Sequence, residues 1–174
     1  MENKSLNFRE EVSVKDLENV KLITASTGFF HDYEIDTAVE IVKERLDKGI
    51  KSGYNFIFSE YNNKTVGFTS FGHIACTKSS YDLYWIAISN DCRGQKIGSN
   101  LLKETEQKIA SFGGKNIYAE TSSKPQYEST RQFYLKNGYI QESILKDFYD
   151  LNDSKVTFVK TLGKVAPEHI TCLS

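Results

Sequence analysis

The residues best suited to chemistry lie in the segment Ile86-Ala87-Ile88-Ser89-Asn90-Asp91-Cys92-Arg93-Gly94-Gln95-Lys96-Ile97-Gly98-Ser99-Asn100-Leu101-Leu102. An apolar run there gives way to a polar loop and then to an amphipathic stretch, which predicts a strand turning tightly into a helix. The first backbone N–H groups of a helix have no partner inside it, and the helix dipole places partial positive charge there. Such a mouth favours an anion, most simply a phosphate or pyrophosphate. Gly94 and Gly98 let a ligand approach the backbone, and Arg93 and Lys96 add side-chain charge. The spacing is neither that of a nucleoside-triphosphate loop nor the GxGxxG of a dinucleotide fold. The same two glycines would also serve a plain strand-to-helix turn.

Periodicity supplies the elements that must hold this loop. Leu6 to Val12 is a candidate strand, and Ser13 opens a helix with Asp16 three residues on, a weaker form of the capping box. After Ser26-Thr27-Gly28 and the pair Phe29-Phe30, residues Ile35, Ala38, Val39, Val42 and Leu46 form one apolar helical stripe, ended by Lys48-Gly49. From Tyr54 to Tyr61 the period is that of a strand, and Asn62-Asn63-Lys64 turns it into a partner over Thr65 to Ala75. Tyr81 to Ile88 is apolar enough to predict a strand buried on both faces. Alternation along it sends Tyr84 and Trp85 to opposite sides, so the two should not line one site. In the helix after the loop, Leu101, Leu102, Thr105, Ile109 and Phe112 make the buried side, and Gly113-Gly114 stops it. A short strand follows over Asn116 to Thr121, then a helix over Tyr127 to Asn137 closed by Gly138. Tyr139 to Leu145 and Val156 to Leu162 are closing strands around a loop holding Asp147-Phe148-Tyr149. The order predicts an α/β (α+β) domain, a mixed and mostly antiparallel sheet with helices on both faces.

Composition narrows the function classes. The 174 residues, 39% hydrophobic and 26% charged, exclude a disordered or fibrous chain and suit a single domain over 1–174, its core at about 6–162 and a frayed tail over 163–174. Twenty-two Lys and Arg against 23 Asp and Glu give a net charge of −1, which argues against a nucleic-acid coat protein. Cys76, Cys92 and Cys172 are odd in number and share no CxxC spacing, so neither a zinc site nor a disulfide framework is expected. The N-terminus lacks the apolar core of a signal peptide, and no run approaches the ~20 apolar residues of a membrane span. These features together predict a soluble cytoplasmic protein with no membrane partner and no metal.

Two motifs carry a family resemblance. Arg93-Gly94-Gln95-Lys96-Ile97-Gly98, after an apolar strand and before Leu101-Leu102, resembles the coenzyme-A loop of the GNAT family of N-acetyltransferases, whose pattern is Gln/Arg-x-x-Gly-x-Gly/Ala. Arg93 and Gly98 match; Lys96 stands where the first patterned glycine is expected. Thr130-Arg131-Gln132-Phe133-Tyr134-Leu135-Lys136-Asn137-Gly138-Tyr139 is similar to the family's late helix, which carries Phe-Tyr and ends in Lys-Asn-Gly-Phe/Tyr. The resemblance runs from about Leu6 to Leu162, with its specific part at residues 84 to 139.

The resemblance implies a GNAT-like sheet of about seven strands with a splayed central pair, and acetyl-CoA as co-substrate. It assigns the pantetheine arm to the freed backbone of Ile86, Ala87 and Ile88, and the pyrophosphate to the loop Arg93, Gly94, Gln95, Lys96, Ile97, Gly98 and Ser99. Tyr127 falls where relatives often bind the coenzyme with a polar side chain. Tyr134 matches the tyrosine that protonates the departing thiolate, as a phenol with pKa ≈ 10 can. Glu120, at the end of its strand, corresponds to a glutamate that takes the amine proton, and burial would raise its pKa toward the working range. His31 and His73 are competitors for the base. Each has a plainer reading: Tyr134 as a core tyrosine, Glu120 as a solvated strand end, Ile86 and Ile88 as packing. Lys136 could face the coenzyme's ribose phosphate or cap its helix dipole, and the capping role is the expected one. The acceptor would be an amine of a small molecule or peptide, and Phe29, Phe30, Tyr33, Tyr84, Trp85, Phe148 and Tyr149 are candidates for its pocket. Homodimers occur among such enzymes. The alternative is a catalytically silent acyl-CoA-binding sensor or interaction module on the same fold.

Overall fold

The computed structural model of the protein describes residues 5–163. The chain runs β1 (Leu6–Arg9), α1 (Lys15–Ser26), α2 (Asp32–Lys48), β2 (Asn55–Tyr61), β3 (Lys64–His73), β4 (Ser80–Ile88), α3 (Ile97–Ser111), β5 (Asn116–Ser122), α4 (Glu128–Lys136), β6 (Ile140–Asp150) and β7 (Asp153–Thr161). All seven strands join one sheet in the order β1-β2-β3-β4-β5-β7-β6. Every neighbouring pair is antiparallel except β4 and β5. The element order is the expected one. The tail expected beyond Gly163, and Cys172 within it, lie outside the described residues.

Alternation along the strands divides the interior into two cores, one on each face of the sheet. Phe56 and Phe58 of β2 point with Phe68 toward Val20 and Ile23 of α1 and Ala38, Ile41 and Val42 of α2. Ile57, between them in sequence, joins Leu101, Leu102 and Ile109 of α3 and Tyr134 of α4 on the other face. Burying each such Phe or Leu stabilises the fold by about 1.5–3 kcal/mol, which the short helices need to form at all.

The entrance to α1 is secured by a charge. Asp16 is fully buried and accepts hydrogen bonds from Ser13 N at 2.8 Å, Asn19 Nδ2 at 3.0 Å and both terminal nitrogens of Arg9, at 2.9 and 2.6 Å. Burial alone would raise its carboxyl. The bonds from Arg9, Asn19 and Ser13 outweigh that and hold its pKa below the ordinary value. Arg9 also reaches Glu60 Oε1 at 2.7 Å, tying β1 and β2 to the helix.

Three expectations are corrected. β4 is not buried on both faces, since Tyr84 is 42% exposed. Ser70 pairs with Trp85 and Phe71 with Leu83, leaving Tyr84 as an extra residue, a β-bulge that shifts the alternation by one. Leu83 therefore shares a core with Ile86 and Ile88, and Trp85 packs with Ala87 on the other face. Phe112 is 47% exposed instead of buried, because it follows the last turn of α3 and is sandwiched between Tyr81 and the Lys108 ammonium at the surface. Asp147-Phe148-Tyr149 belongs to β6, not to a loop. This strand is the sheet edge and is exposed along nearly its whole length, so it lacks the alternation that marks a strand in sequence.

Candidate active site

The central feature is a parting of β4 from β5. Their pairing ends at Leu83↔Ala119, although β4 continues to Ile88 and β5 to Ser122. From Trp85 to Ile88, β4 is paired only with β3, so backbone groups directed toward β5 have no strand partner. Below the gap lies a cavity of about 830 Å³, within the size range of small-molecule sites.

One end of the cavity is the mouth of α3. Beyond β4 the chain makes a turn over Asn90–Cys92, held by Cys92 N donating to Ser89 O at 2.9 Å. Gly94 (φ +78°) and Lys96 (φ +61°) both take left-handed backbone before the helix begins at Ile97. Lys96 thus adopts the conformation that makes glycine the usual residue there. No side chain caps α3 and no acidic residue lies in its first turn, whereas α1 and α2 each carry two acids there. The free N–H groups and the positive end of the dipole are therefore left for an external anion. The Arg93 guanidinium sits 4.8 Å from the centre of the Phe29 ring, which orients it beside this mouth.

Tyr134 forms part of the wall. It is 4% exposed, with its ring 5.4 Å from those of Tyr139 and Phe158. Burial alone pushes its phenol well above the ordinary value, with no hydrogen bond contributing. Glu120 also lines the cavity, and of its two readings the exposure is that of a solvated carboxylate: its side chain is 44% exposed and pairs with Lys155 Nζ at 2.9 Å. It stands one residue beyond the last β4 pair, while Thr121 and Ser122 after it in β5 are buried. Asp82, half-buried below the gap, is raised by burial and by Glu120, with Lys155 opposing.

Of the thirteen residues expected at the site, Gln95 is not at the cavity wall; Ile86, Ala87, Ile88, Arg93, Gly94, Lys96, Ile97, Gly98, Ser99, Glu120, Tyr127 and Tyr134 are. Tyr127 does more than line it: its hydroxyl donates to Phe29 O at 3.2 Å, fastening the start of α4 to the α1–α2 loop. Tyr84 and Trp85 both line the cavity, contrary to the alternation argument, because the bulge at Tyr84 breaks the alternation. Phe148 does not; Lys155 Nζ lies 4.1 Å over its ring. His31 lines the cavity at the start of α2, and His73 packs away from it against Tyr81. Sequence reasoning missed Glu34, Asp150 and Asp153, which are far apart in the chain and carry no shared spacing. Among the described residues no group of His, Cys, Asp or Glu is arranged to hold a metal ion, and no helix is long and apolar enough to cross a membrane.

Comparison with known proteins fits this geometry. Residues 52–141 match the sequence profile of the acetyltransferase (GNAT) domain. A crystal structure assigned as an acetyltransferase of the GNAT family from Desulfovibrio desulfuricans is 34% identical, with a TM-score of 0.90 over 91% of this chain and 100% of that one. An aminoglycoside 6′-N-acetyltransferase complexed with coenzyme A is 17% identical, with a TM-score of 0.69 over 90% of this chain and 96% of that one. The ribosomal-protein-S18-alanine N-acetyltransferase of Escherichia coli is 15% identical, with a TM-score of 0.71 over 94% and 98%. Among curated protein sequences none matches. With more than half the chain inside the family profile, and a relative one-third identical along its full length, this chain belongs to the GNAT family of N-acetyltransferases.

Proposed function

We propose that the chain, acting as one catalytic domain, transfers the acetyl group of acetyl-CoA to a primary amine of a small molecule or peptide. The observation that carries this reading is a single cavity running from the uncapped mouth of α3, past the unpaired backbone of β4, to Tyr134. Arg93, Lys96 and the N–H groups of Ile97 to Ser99 receive the pyrophosphate. The backbone of Ile86 to Ile88 holds the pantetheine arm and polarises the thioester carbonyl.

In the reaction the amine nitrogen attacks the thioester carbon, a C–N bond forms and the C–S bond breaks. The proton lost by the amine passes to Glu120, directly or through water, and the thiolate takes one from Tyr134. Lys96 in place of glycine is what would favour a silent coenzyme-binding module. That argument weakens because Lys96 keeps the left-handed backbone a glycine would have.

Binding and chemistry can be tested separately. Acetyl-CoA at 100 times its dissociation constant should stabilise the native state by about 2.7 kcal/mol in thermal melts. A Cβ on Gly98 would meet Phe133 at 3.4 Å and Ile88 at 3.6 Å, ordinary contacts, so Gly98→Val should fold while its extra methyls obstruct the mouth. The shift should vanish in that variant, and an undiminished shift would displace the assigned loop. Acetyl transfer is then read as free thiol together with the acetylated product, across a panel of amines.

A further inference from the structure

Three segments meet where Arg93 lines the cavity: the α1–α2 loop, the β4–α3 loop and the approach to α4. Asn90 N–H donates to Ser26 Oγ at 3.2 Å, which ties the last residue of α1 to the β4–α3 loop. Phe29 connects all three. Its N–H donates to Thr27 Oγ1 at 3.3 Å, and its carbonyl accepts from the Tyr127 hydroxyl at 3.2 Å. Its half-buried ring stands 6.2 Å from that of Tyr127 and carries the Arg93 guanidinium at 4.8 Å. The other arginines are held differently. Arg9 and Arg131 are gripped by carboxylates and Arg45 donates to Tyr54 O, whereas Arg93 is exposed and no carboxylate pairs with it among the described residues.

Building on the acetyltransferase reading, we propose that Phe29 is a positioning residue for coenzyme binding: its ring, steadied through Tyr127, sets the Arg93 guanidinium in place for the pyrophosphate before the coenzyme arrives. Cation–π attraction uses the charge of the guanidinium and leaves its N–H donors for phosphate oxygens, so ring and phosphate can hold it together. A carboxylate in the same place would take those donors and oppose the incoming anion. A free arginine would have to be ordered on binding, and that loss of rotamer freedom would weaken affinity. The ring orders it beforehand. Phe29 therefore acts through Arg93, and the Tyr127 hydroxyl acts through Phe29.

Coenzyme A itself is the probe, and its dissociation constant is read by titration calorimetry. Phe29→Leu keeps an apolar side chain but removes the ring, and should weaken binding by about two- to tenfold, the effect of ordering one long side chain. Phe29→Tyr restores the ring and should stay within about twofold of wild type. Tyr127→Phe deletes only the hydroxyl that fixes Phe29 and should weaken binding by a smaller factor, so it carries the same test should the leucine variant not fold. Arg93→Gln should weaken binding about tenfold, and in that background either substitution should add less than about twofold. A ring that merely supports the fold would weaken both backgrounds alike. That result overturns the proposal, as does unchanged affinity in Phe29→Leu. If Arg93→Gln weakens binding and Phe29→Leu does not, the coenzyme reading survives and only this inference fails. If Arg93→Gln binds coenzyme A as tightly as wild type, this inference fails too, and the melting shift of Gly98→Val then decides the assigned loop.

Discussion

Replacing Tyr134 by Phe separates its two readings, core ring and proton donor. The ring packs 5.4 Å from Tyr139 and Phe158 and 5.6 Å from Phe133, and phenylalanine retains all three contacts. Because the hydroxyl has no hydrogen-bond partner among the described residues, its removal should change stability by less than about 0.5 kcal/mol. A core residue would show nothing more. If the phenol protonates the leaving thiolate, turnover should fall by roughly 10²–10⁴, equivalent to about 2.7–5.5 kcal/mol of barrier. Burial raises the phenol, so it stays protonated through neutral pH and should add no limb to the rate profile there. The assay is a single-turnover measurement of thiol release, which isolates chemistry from product release. An acetyl thioester with a more acidic leaving thiol should show a smaller defect. A Phe variant within about threefold of wild type in single turnover would refute the assignment.

Lys96→Gly should stabilise the unliganded protein by about 1 kcal/mol in urea melts, since Lys96 occupies left-handed backbone at φ +61°. Glu120→Gln should cost most in kcat/KM at pH values where the amine is protonated and converge with wild type at high pH. A loss constant with pH would make the carboxylate a positioning group. Its ion pair with Lys155, exposed on the carboxylate side, predicts a stability change of about 1 kcal/mol or less. Asp16→Ala should destabilise by about 3 kcal/mol by stripping Arg9 of its buried partner. The folded carboxyl of Asp16 lies below its unfolded value, so its contribution is present above about pH 4 and is lost as pH falls toward the folded value, which acid titration of the melting curve reads.

Local signals served well where they act within a few residues. The apolar stripes of α2 and α3 and the loop Arg93 to Gly98 place their elements directly, because helix period and turn chemistry are short-range properties. What escaped depended on distant neighbours. β6 runs on to Asp150 because β7 returns along it, not because its own residues alternate. The cavity lining gathers Glu34, Glu120, Asp150 and Asp153 from four separate elements.

The parting of β4 from β5 has a local cause that links sequence to function. The last parallel pair, Leu83↔Ala119, is followed at once by the bulged Tyr84. A bulge sharpens the twist of its strand, so β4 can follow β3 or β5 beyond this point but not both. The long antiparallel pairing with β3, from Ser70↔Trp85 to Gly67↔Ile88, decides for β3. Gly72 admits the bulge: a Cβ there would come within 2.9 Å of the Tyr84 ring and 2.6 Å of Gly53 O. The glycine therefore makes room for the tyrosine, and the tyrosine turns β4 aside. The opened edge then exposes the backbone of Ile86 to Ile88 above the cavity that Tyr134 lines.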